Sequence, residues 1–169
     1  MRKIIIGVIG PGENATKTDL HNAYELGNLI ATEGWVLLTG GRNVGVMDAA
    51  NKGAKAAKGL TIGILPNQDP ESVSDAVDLA IFTDMGSARN NINALSSQVI
   101  IACGVGLGTI SEIALALKAN RQVILLNYAP EISQVFANLS KDNLSVVHSP
   151  VEAVEFIKNG LLHLEQKTY

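Results

Sequence analysis

The sequence predicts a doubly wound α/β domain in which helices cover both faces of a mostly parallel sheet. Short β-branched runs alternate with Ala-rich stretches of helical periodicity, which is typical of parallel strands joined by helices. A Gly-rich turn follows most of the runs, as expected where a strand leads into a helix. The 169 residues contain no low-complexity linker, so we expect a single Rossmann-like ligand-binding domain over residues 1–169.

Seven strands are expected from the apolar runs. The first run, Lys3–Ile9, is interpreted as a buried strand rather than a signal peptide, because it is short and ends in Gly10-Pro11-Gly12. The others are Trp35–Thr39, Thr61–Leu65, Leu79–Phe82, Val99–Cys103, Val123–Leu126 and a short seventh at Ser145–Val147.

Six helices are expected between and after these strands. In the first, Asp19–Glu33, apolar positions recur on one face and Gly34 provides the stop. The last begins at Ser149-Pro150-Val151-Glu152, a capping box with proline at the first helical position. The remaining helices are Val46–Lys58, Ala88–Ser96, Thr109–Asn120 and Pro130–Leu139, and Pro66–Asp78 is expected to be a loop or short helix at the surface.

Composition excludes several classes of function. A net charge of −3 argues against nucleic acid or an anionic membrane as the main partner. No apolar run is long enough to span a bilayer. The single cysteine, Cys103, excludes an intramolecular disulfide and a Cys-based zinc cluster, and no other metal-ligand spacing occurs. We expect a cytoplasmic protein.

Candidate binding residues follow the ends of the strands, where open α/β sheets bind their ligands. The loop Gly104–Thr109 has glycines at alternate positions, so its N–H groups can form an anion site, and Thr109 is expected to cap the next helix. It is neither a dinucleotide fingerprint nor a P-loop. The other unusual loops are Gly10-Pro11-Gly12, Thr39–Gly45 and Met85–Asn90.

Two charged side chains could add to such a site. Arg42, in the second Gly-rich loop, could hold a phosphate or a pterin-like oxygen through paired hydrogen bonds. Glu112 has two interpretations that the sequence leaves open. It is either an N3 carboxylate that caps its helix, or a carboxylate that faces Arg89 across the crevice as a candidate acid or base.

These residues resemble a known superfamily, the lysine decarboxylase-like proteins, which includes the cytokinin-activating phosphoribohydrolases. The shared elements are Gly-Gly-x-x-x-Gly-x-Met at 40–47, Arg89, and Gly-x-Gly-Thr-x-x-Glu at 106–112. Within it, the chain is most similar to the molybdenum cofactor carrier proteins of algae and cyanobacteria. That closer match lies in Ile-Gly-Val-Ile-Gly-Pro-Gly, in Trp-Val-Leu-Leu-Thr-Gly-Gly-Arg, and in Gly-Ser-Ala-Arg-Asn-Asn-Ile-Asn-Ala-Leu-Ser-Ser.

The carrier resemblance implies a non-enzymatic homo-oligomer, a dimer of dimers, that binds a phosphate-bearing pterin and its molybdenum for delivery to molybdenum enzymes. The metal would arrive on the cofactor's own sulfurs, so no protein metal ligand is expected. Molybdate or phosphate should be bound by the same N–H groups. The expected cofactor-binding residues are Gly10, Pro11, Gly40, Gly41, Arg42, Gly86, Ser87, Arg89, Asn90, Gly104, Gly106, Leu107, Gly108, Thr109 and Glu112.

The alternative is an enzyme of the phosphoribohydrolase type that cleaves an N-glycosidic bond with Arg89 and Glu112. Two departures from that pattern weaken it: Pro-Gly-Gly is replaced by Gly104-Val105-Gly106, and the usual Arg-Lys pair becomes Arg89-Asn90. A nucleotide-sensing module of the same fold is a third interpretation, which fold alone does not separate from the others.

Overall fold

The structure, a computed structural model, describes residues 2–140 and 142–166, with side chains described as far as residue 161. Seven parallel strands form one sheet in the order β4-β3-β2-β1-β5-β6-β7. The strands are β1 Ile5–Ile9, β2 Val36–Thr39, β3 Thr61–Leu65, β4 Leu79–Phe82, β5 Val99–Cys103, β6 Gln122–Leu126 and β7 Leu144–Val147. The doubly wound, Rossmann-like fold predicted from the sequence is confirmed.

Six helices connect and follow the strands. They are α1 Lys17–Thr32, α2 Gly45–Ala56, α3 Asn90–Ser96, α4 Leu107–Lys118, α5 Pro130–Leu139 and α6 Pro150–Gln166. Short 3₁₀ turns lie at Pro70–Ser72 and Gly86–Arg89, so the expected helix at Ala88 is a 3₁₀ turn that continues into α3. No helix in the described ranges is long and apolar enough to cross a bilayer.

Each face of the sheet packs against three helices. Helices α1, α2 and α6 cover a core that includes Ile6, Leu37 and Ile124, whereas α3, α4 and α5 cover a core that includes Ile100 and Leu125. This alternation follows from the strand period of two, which sends successive side chains to opposite faces. The helices on both faces shield the central strands from solvent, and the carboxyl ends of these strands lead into the loops.

Helices α1 and α2 touch through their backbones. A Cβ atom on Gly27 would overlap the carbonyl oxygen of Ala50, and one on Gly53 would overlap the carbonyl oxygen of Tyr24. Because neither glycine has a side chain, the two helices cross without an intervening layer. The loops after β1 and β2, which lead into these helices, are therefore held at a fixed separation.

The sheet is incompletely covered at its β4 edge. Leu79 and Ile81 point to the same face as Ile62 and Ile64, their partners on β3, and remain 50% and 48% exposed. Leu95 of α3, on the same side of the sheet, is also exposed. Leu79 and Ile81 form an apolar surface at this edge of the sheet, which we call the β4 face and define by these two residues.

Candidate binding site

A concavity lies at the carboxyl ends of β1, β2 and β5. It has a volume of about 370 Å³. Strand β1 lies between β2 and β5, so this is the point at which the strand order reverses, where such sheets characteristically bind ligands. The cavity is lined by Ile9, Gly10, Pro11, Gly12, Glu13, Asn14, Gly40, Arg42, Met47, Arg89, Asn90, Val105, Gly106, Leu107, Gly108, Thr109 and Glu112.

The first turn of α4 supplies N–H groups to one wall. Gly106 is the N-cap and accepts from the N–H of Ile110 at 2.9 Å, but it has no side chain to cap the turn. The N–H groups of Leu107, Gly108 and Thr109 have no acceptor among the described residues. These three donors at the positive end of a helix dipole are suited to an anion.

Thr109 is not the cap that the sequence predicted. The helix starts two residues earlier, and Thr109 occupies its third position with its side chain 2% exposed. Its Oγ1 atom is buried and has no hydrogen-bond partner in the described part of the chain. A buried hydroxyl is ordinarily satisfied, so this atom on the cavity wall is suited to contact a ligand.

Glu112 lies one helical turn beyond Thr109 and outside the first turn of α4, so the capping interpretation is wrong. Its side chain is 8% exposed, and Oε1 accepts a hydrogen bond from Nδ2 of Asn93 at 2.6 Å. Burial raises the pKa of Glu112 from 4.5 to about 7, while the bond from Asn93 and the charge of Arg89 act in the opposite direction. The carboxyl group can therefore gain or lose a proton near neutral pH.

Arg89 bonds the ends of two neighbouring strands. Its Nη1 donates to the carbonyl oxygens of Gly40, after β2, and Ile64, in β3. A Cβ on Gly40 would overlap this guanidinium, which explains glycine at that position. Burial lowers the pKa of Arg89, and the charge of Glu112 opposes that shift. Arg89 thus faces Glu112 from across the cavity, as one of the two sequence interpretations expected, but its Nη1 group is engaged with the backbone.

Arg42 lies at the rim of the cavity. Its Nη2 is 3.6 Å from Oε1 of Glu13, and both side chains are substantially exposed. The loop that carries it is fixed by an isolated bridge between Arg42 and Val73 and by the N–H of Asn43, which donates to Ser72. Arg42 can therefore reach a ligand, in competition with Glu13.

Most of the residues predicted to bind the cofactor line the cavity, and four of them do not. Gly41, Gly86, Ser87 and Gly104 are absent from the cavity wall. Gly41 has φ 74° and approaches the Cα of Gly63, and Gly104 has φ 83° while its carbonyl accepts from the hydroxyl of Tyr128 at 2.6 Å. These glycines shape the loops rather than contact the cavity. The remaining predicted residues all line it.

Sequence reasoning missed part of the wall. Gly12 and Val105 lie within loops that were singled out, and Met47 closes the Gly40–Met47 motif, so these could have been included. Glu13 and Asn14 carry no such signal. In the described ranges, no cluster of three or more His, Cys, Asp or Glu side chains could hold a metal ion.

A known family and several solved structures are similar to this chain over most of its length. A family model described as SLOG cluster4 matches residues 3–154. The chain belongs to the SLOG cluster4 family. The chain is 63% identical to the molybdenum cofactor binding protein of the phototrophic bacterium Rippkaea orientalis. The TM-score is 0.93, and the match covers 95% of this chain and 99% of that one. This chain is 51% identical to the molybdenum cofactor carrier protein of Chlamydomonas reinhardtii, with a TM-score of 0.91 over 95% and 99%.

A more distant relative is an enzyme. The SLOG cluster4 member is 34% identical to the cytokinin riboside 5′-monophosphate phosphoribohydrolase of Mycobacterium tuberculosis over 96 residues, which is 56% of this chain and 51% of that protein. The similarity to both groups confirms the resemblance predicted from the motifs at 40–47 and 106–112.

Proposed function

We propose that this protein binds the molybdenum cofactor in the 370 Å³ cavity, shields it and passes it to molybdenum enzymes without transforming it. The observation that carries the proposal is the first turn of α4, with three N–H groups and the Oγ1 of Thr109 free of partners in the described residues. The similarity to two molybdenum cofactor proteins at 63% and 51% identity supports the same conclusion.

The donor set fits the cargo. The cofactor is a pterin with a terminal phosphate, and a phosphate is well bound by N–H groups at a helix N-terminus aided by a hydroxyl. Val105 and Leu107 add apolar surface beside these donors, which suits the flat ring of a pterin. Molybdate and phosphate should bind to the same N–H groups.

We also propose that the protein works in the cytoplasm as a homo-oligomer, a dimer of dimers. The support is the β4 face, whose apolar side chains are half exposed in the single chain. A large exposed apolar patch is characteristic of an interface, and homo-oligomers most often assemble through two-fold contacts.

The Gly108→Asp variant tests the carrier proposal. A Cβ at Gly108 meets no atom within 4 Å, and an acidic residue in the first turn of a helix is favourable, so the variant should fold normally. Its charge would repel an anionic cargo. We expect wild-type protein isolated from its host to carry molybdenum and oxidisable pterin fluorescence, and Gly108→Asp to carry neither.

The matched control is Gly160→Asp in α6, where a Cβ also meets nothing within 4 Å. This variant should retain the cofactor at the wild-type level. Equal retention by Gly108→Asp would remove the α4 turn from the binding site.

One observation favours a second candidate, a nucleotide phosphoribohydrolase. Glu112, with its pKa raised to about 7, faces Arg89 across the cavity and could act as an acid. Incubation with adenine nucleoside monophosphates tests this. Release of free base that is abolished by Glu112→Gln would establish the enzyme function. Absence of release would leave the carrier function as the proposal.

A further inference from the structure

Glu112 stands out because the carrier proposal requires an anion to lie beside it. The carboxyl group lines the same cavity as the α4 turn and lies one helical turn from Thr109, on the same face of the helix. A dianionic phosphate bound to that turn would therefore lie close to a buried carboxylate. Two like charges at such a distance in a desolvated site strongly disfavour each other.

The surrounding charges offset this carboxylate only in part. Arg89 faces it, but Nη1 donates to two backbone carbonyls, and the structure shows no ion pair between the two side chains within the described ranges. Arg42 and Glu13 lie at the rim, where they face each other. From the end of β6, the hydroxyl of Tyr128 donates to Gly104 and adds no positive charge.

The partner of Glu112 also suggests a neutral form. Asn93 donates from Nδ2 to Oε1 of Glu112, while its own Oδ1 is buried and has no donor in the described part of the chain. A protonated carboxyl group can donate as well as accept, so it could pair with a carboxamide through two hydrogen bonds. The orphaned Oδ1 of Asn93 is the acceptor that such a proton would satisfy.

We propose that Glu112 couples cargo binding to a proton: the anionic end of the cargo binds while Glu112 is neutral, and the carboxylate form expels it. The proton comes from solvent, adds to the Glu112 carboxylate on binding and returns to solvent on release, without any covalent change in the cargo. This inference rests on the proposed carrier function and adds a condition under which the cargo is held.

The test uses molybdate, a simple dianion whose own protonation does not change near neutral pH, unlike that of a phosphate monoester. Its affinity for the purified protein is measured by calorimetry at about pH 6.5 and pH 8.5. With one coupled group whose pKa is about 7, we expect the affinity of the wild-type protein to fall roughly 20-fold over this range. Glu112→Gln should bind equally at both values, about as tightly as wild type at pH 6.5.

The matched control is Glu13→Gln. This carboxylate also lines the cavity but is 80% exposed, so its removal can alter the affinity while the pH dependence remains. A wild-type affinity that does not change with pH, or a Glu112→Gln variant that keeps the dependence, would overturn the proposal and leave the carrier function standing.

A second measurement does not depend on the variants. Titrations of the wild-type protein at about pH 8 in two buffers of different ionisation enthalpy count the protons taken up, and we expect close to one per bound molybdate. No uptake would overturn the proposal. Failure of molybdate to bind at either pH would also overturn it, whereas retention of cofactor by protein from the host decides the carrier function separately.

Discussion

At the scale of single residues, the cavity combines donors that lack acceptors with a buried acid that lacks a salt-bridge partner among the described residues. The N–H groups of α4 and Thr109 Oγ1 are of the first kind, and Glu112 is of the second. Burial of Thr109 Oγ1 and of the Glu112 carboxyl group lowers the stability of the folded chain, and groups of this kind are typical of functional sites. The site therefore lowers the free energy of unfolding by an amount that can be measured.

Glu112 should make that stability depend on pH. Because its pKa rises from 4.5 in the unfolded chain to about 7 in the folded one, the folded state holds a proton that the unfolded state releases between these values. The stability that this proton adds to the folded state is fully present below pH 4.5 and is lost as the pH rises to about 7. Relative to Glu112→Gln, wild type should lose up to about 3 kcal/mol of unfolding free energy over this range.

Urea denaturation of both ligand-free proteins at several pH values measures this difference, since other titrating groups cancel. A wild-type curve parallel to that of the variant would show that Glu112 titrates as an ordinary surface carboxylate.

Arg89 should contribute to the stability of the fold, and lysine at this position should not restore that contribution. Its guanidinium bonds Gly40 and Ile64 at the ends of β2 and β3, whereas a lysine is a point donor on a flexible chain. We expect Arg89→Lys to lower the free energy of unfolding by about 1.5–3 kcal/mol. Arg42→Lys, at an exposed ion pair, should change it by no more than about 0.5 kcal/mol. Similar losses in the two variants would contradict the bridging role.

At the scale of elements, the strands were predictable and the helix starts were less so. The β-branched runs predicted all seven strands. Most are buried parallel strands, which are continuous apolar segments, and the exposed edge strand β4 is equally apolar. The start of α4 was placed two residues late, because Thr109 looks like a cap while Gly106 has no capping side chain. The contact of Arg89 with Gly40 and Ile64 depends on where a side chain points after the sheet assembles, which sequence spacing does not encode.

The start of α1 also differs from the prediction, and its cap explains why. Helix α1 begins at Lys17, after a capping box in which Thr16 and Asp19 exchange hydrogen bonds of 3.1 and 2.9 Å. The sequence signal Thr-x-x-Asp departs from the usual Ser/Thr-x-x-Glu/Gln form. The first turn is thus fixed by Thr16, which the sequence prediction left in the loop, together with Asp19, which it took as the first residue of the helix.

Removal of this cap should weaken α1. We expect Thr16→Ala to lower the free energy of unfolding by about 1 kcal/mol, since the N–H of Asp19 loses its acceptor. Thr18→Ala, at an exposed position in the same turn, should have little effect or be slightly stabilising. Thermal unfolding followed by circular dichroism compares the two, and equal effects would show that the cap contributes nothing.

At the scale of the whole molecule, strand β4 lies at the edge of the sheet and its apolar side chains are exposed. The β4 face remains apolar and half exposed, which is unusual for a chain that functions alone. The sequence did not predict the exposure of Leu79 and Ile81, because exposure of a predicted strand depends on which helix packs over it.

Charge on the β4 face should therefore disrupt assembly. We expect Ile81→Lys to lower the solution mass of the protein, because a buried unpaired charge opposes association. Leu139→Lys, at an exposed position at the end of α5, should leave the mass unchanged. Light scattering after gel filtration measures both, and an unchanged mass for Ile81→Lys would exclude this face as the interface.

The glycine contact between α1 and α2 also constrains how a ligand could come and go. Since Gly27 and Gly53 leave the two backbones in direct contact, the walls built on the β1 and β2 loops are not free to part. Another wall is the beginning of α4, where Leu107 is 89% exposed. We therefore expect a ligand to enter and leave beside Leu107 rather than between the β1 and β2 loops.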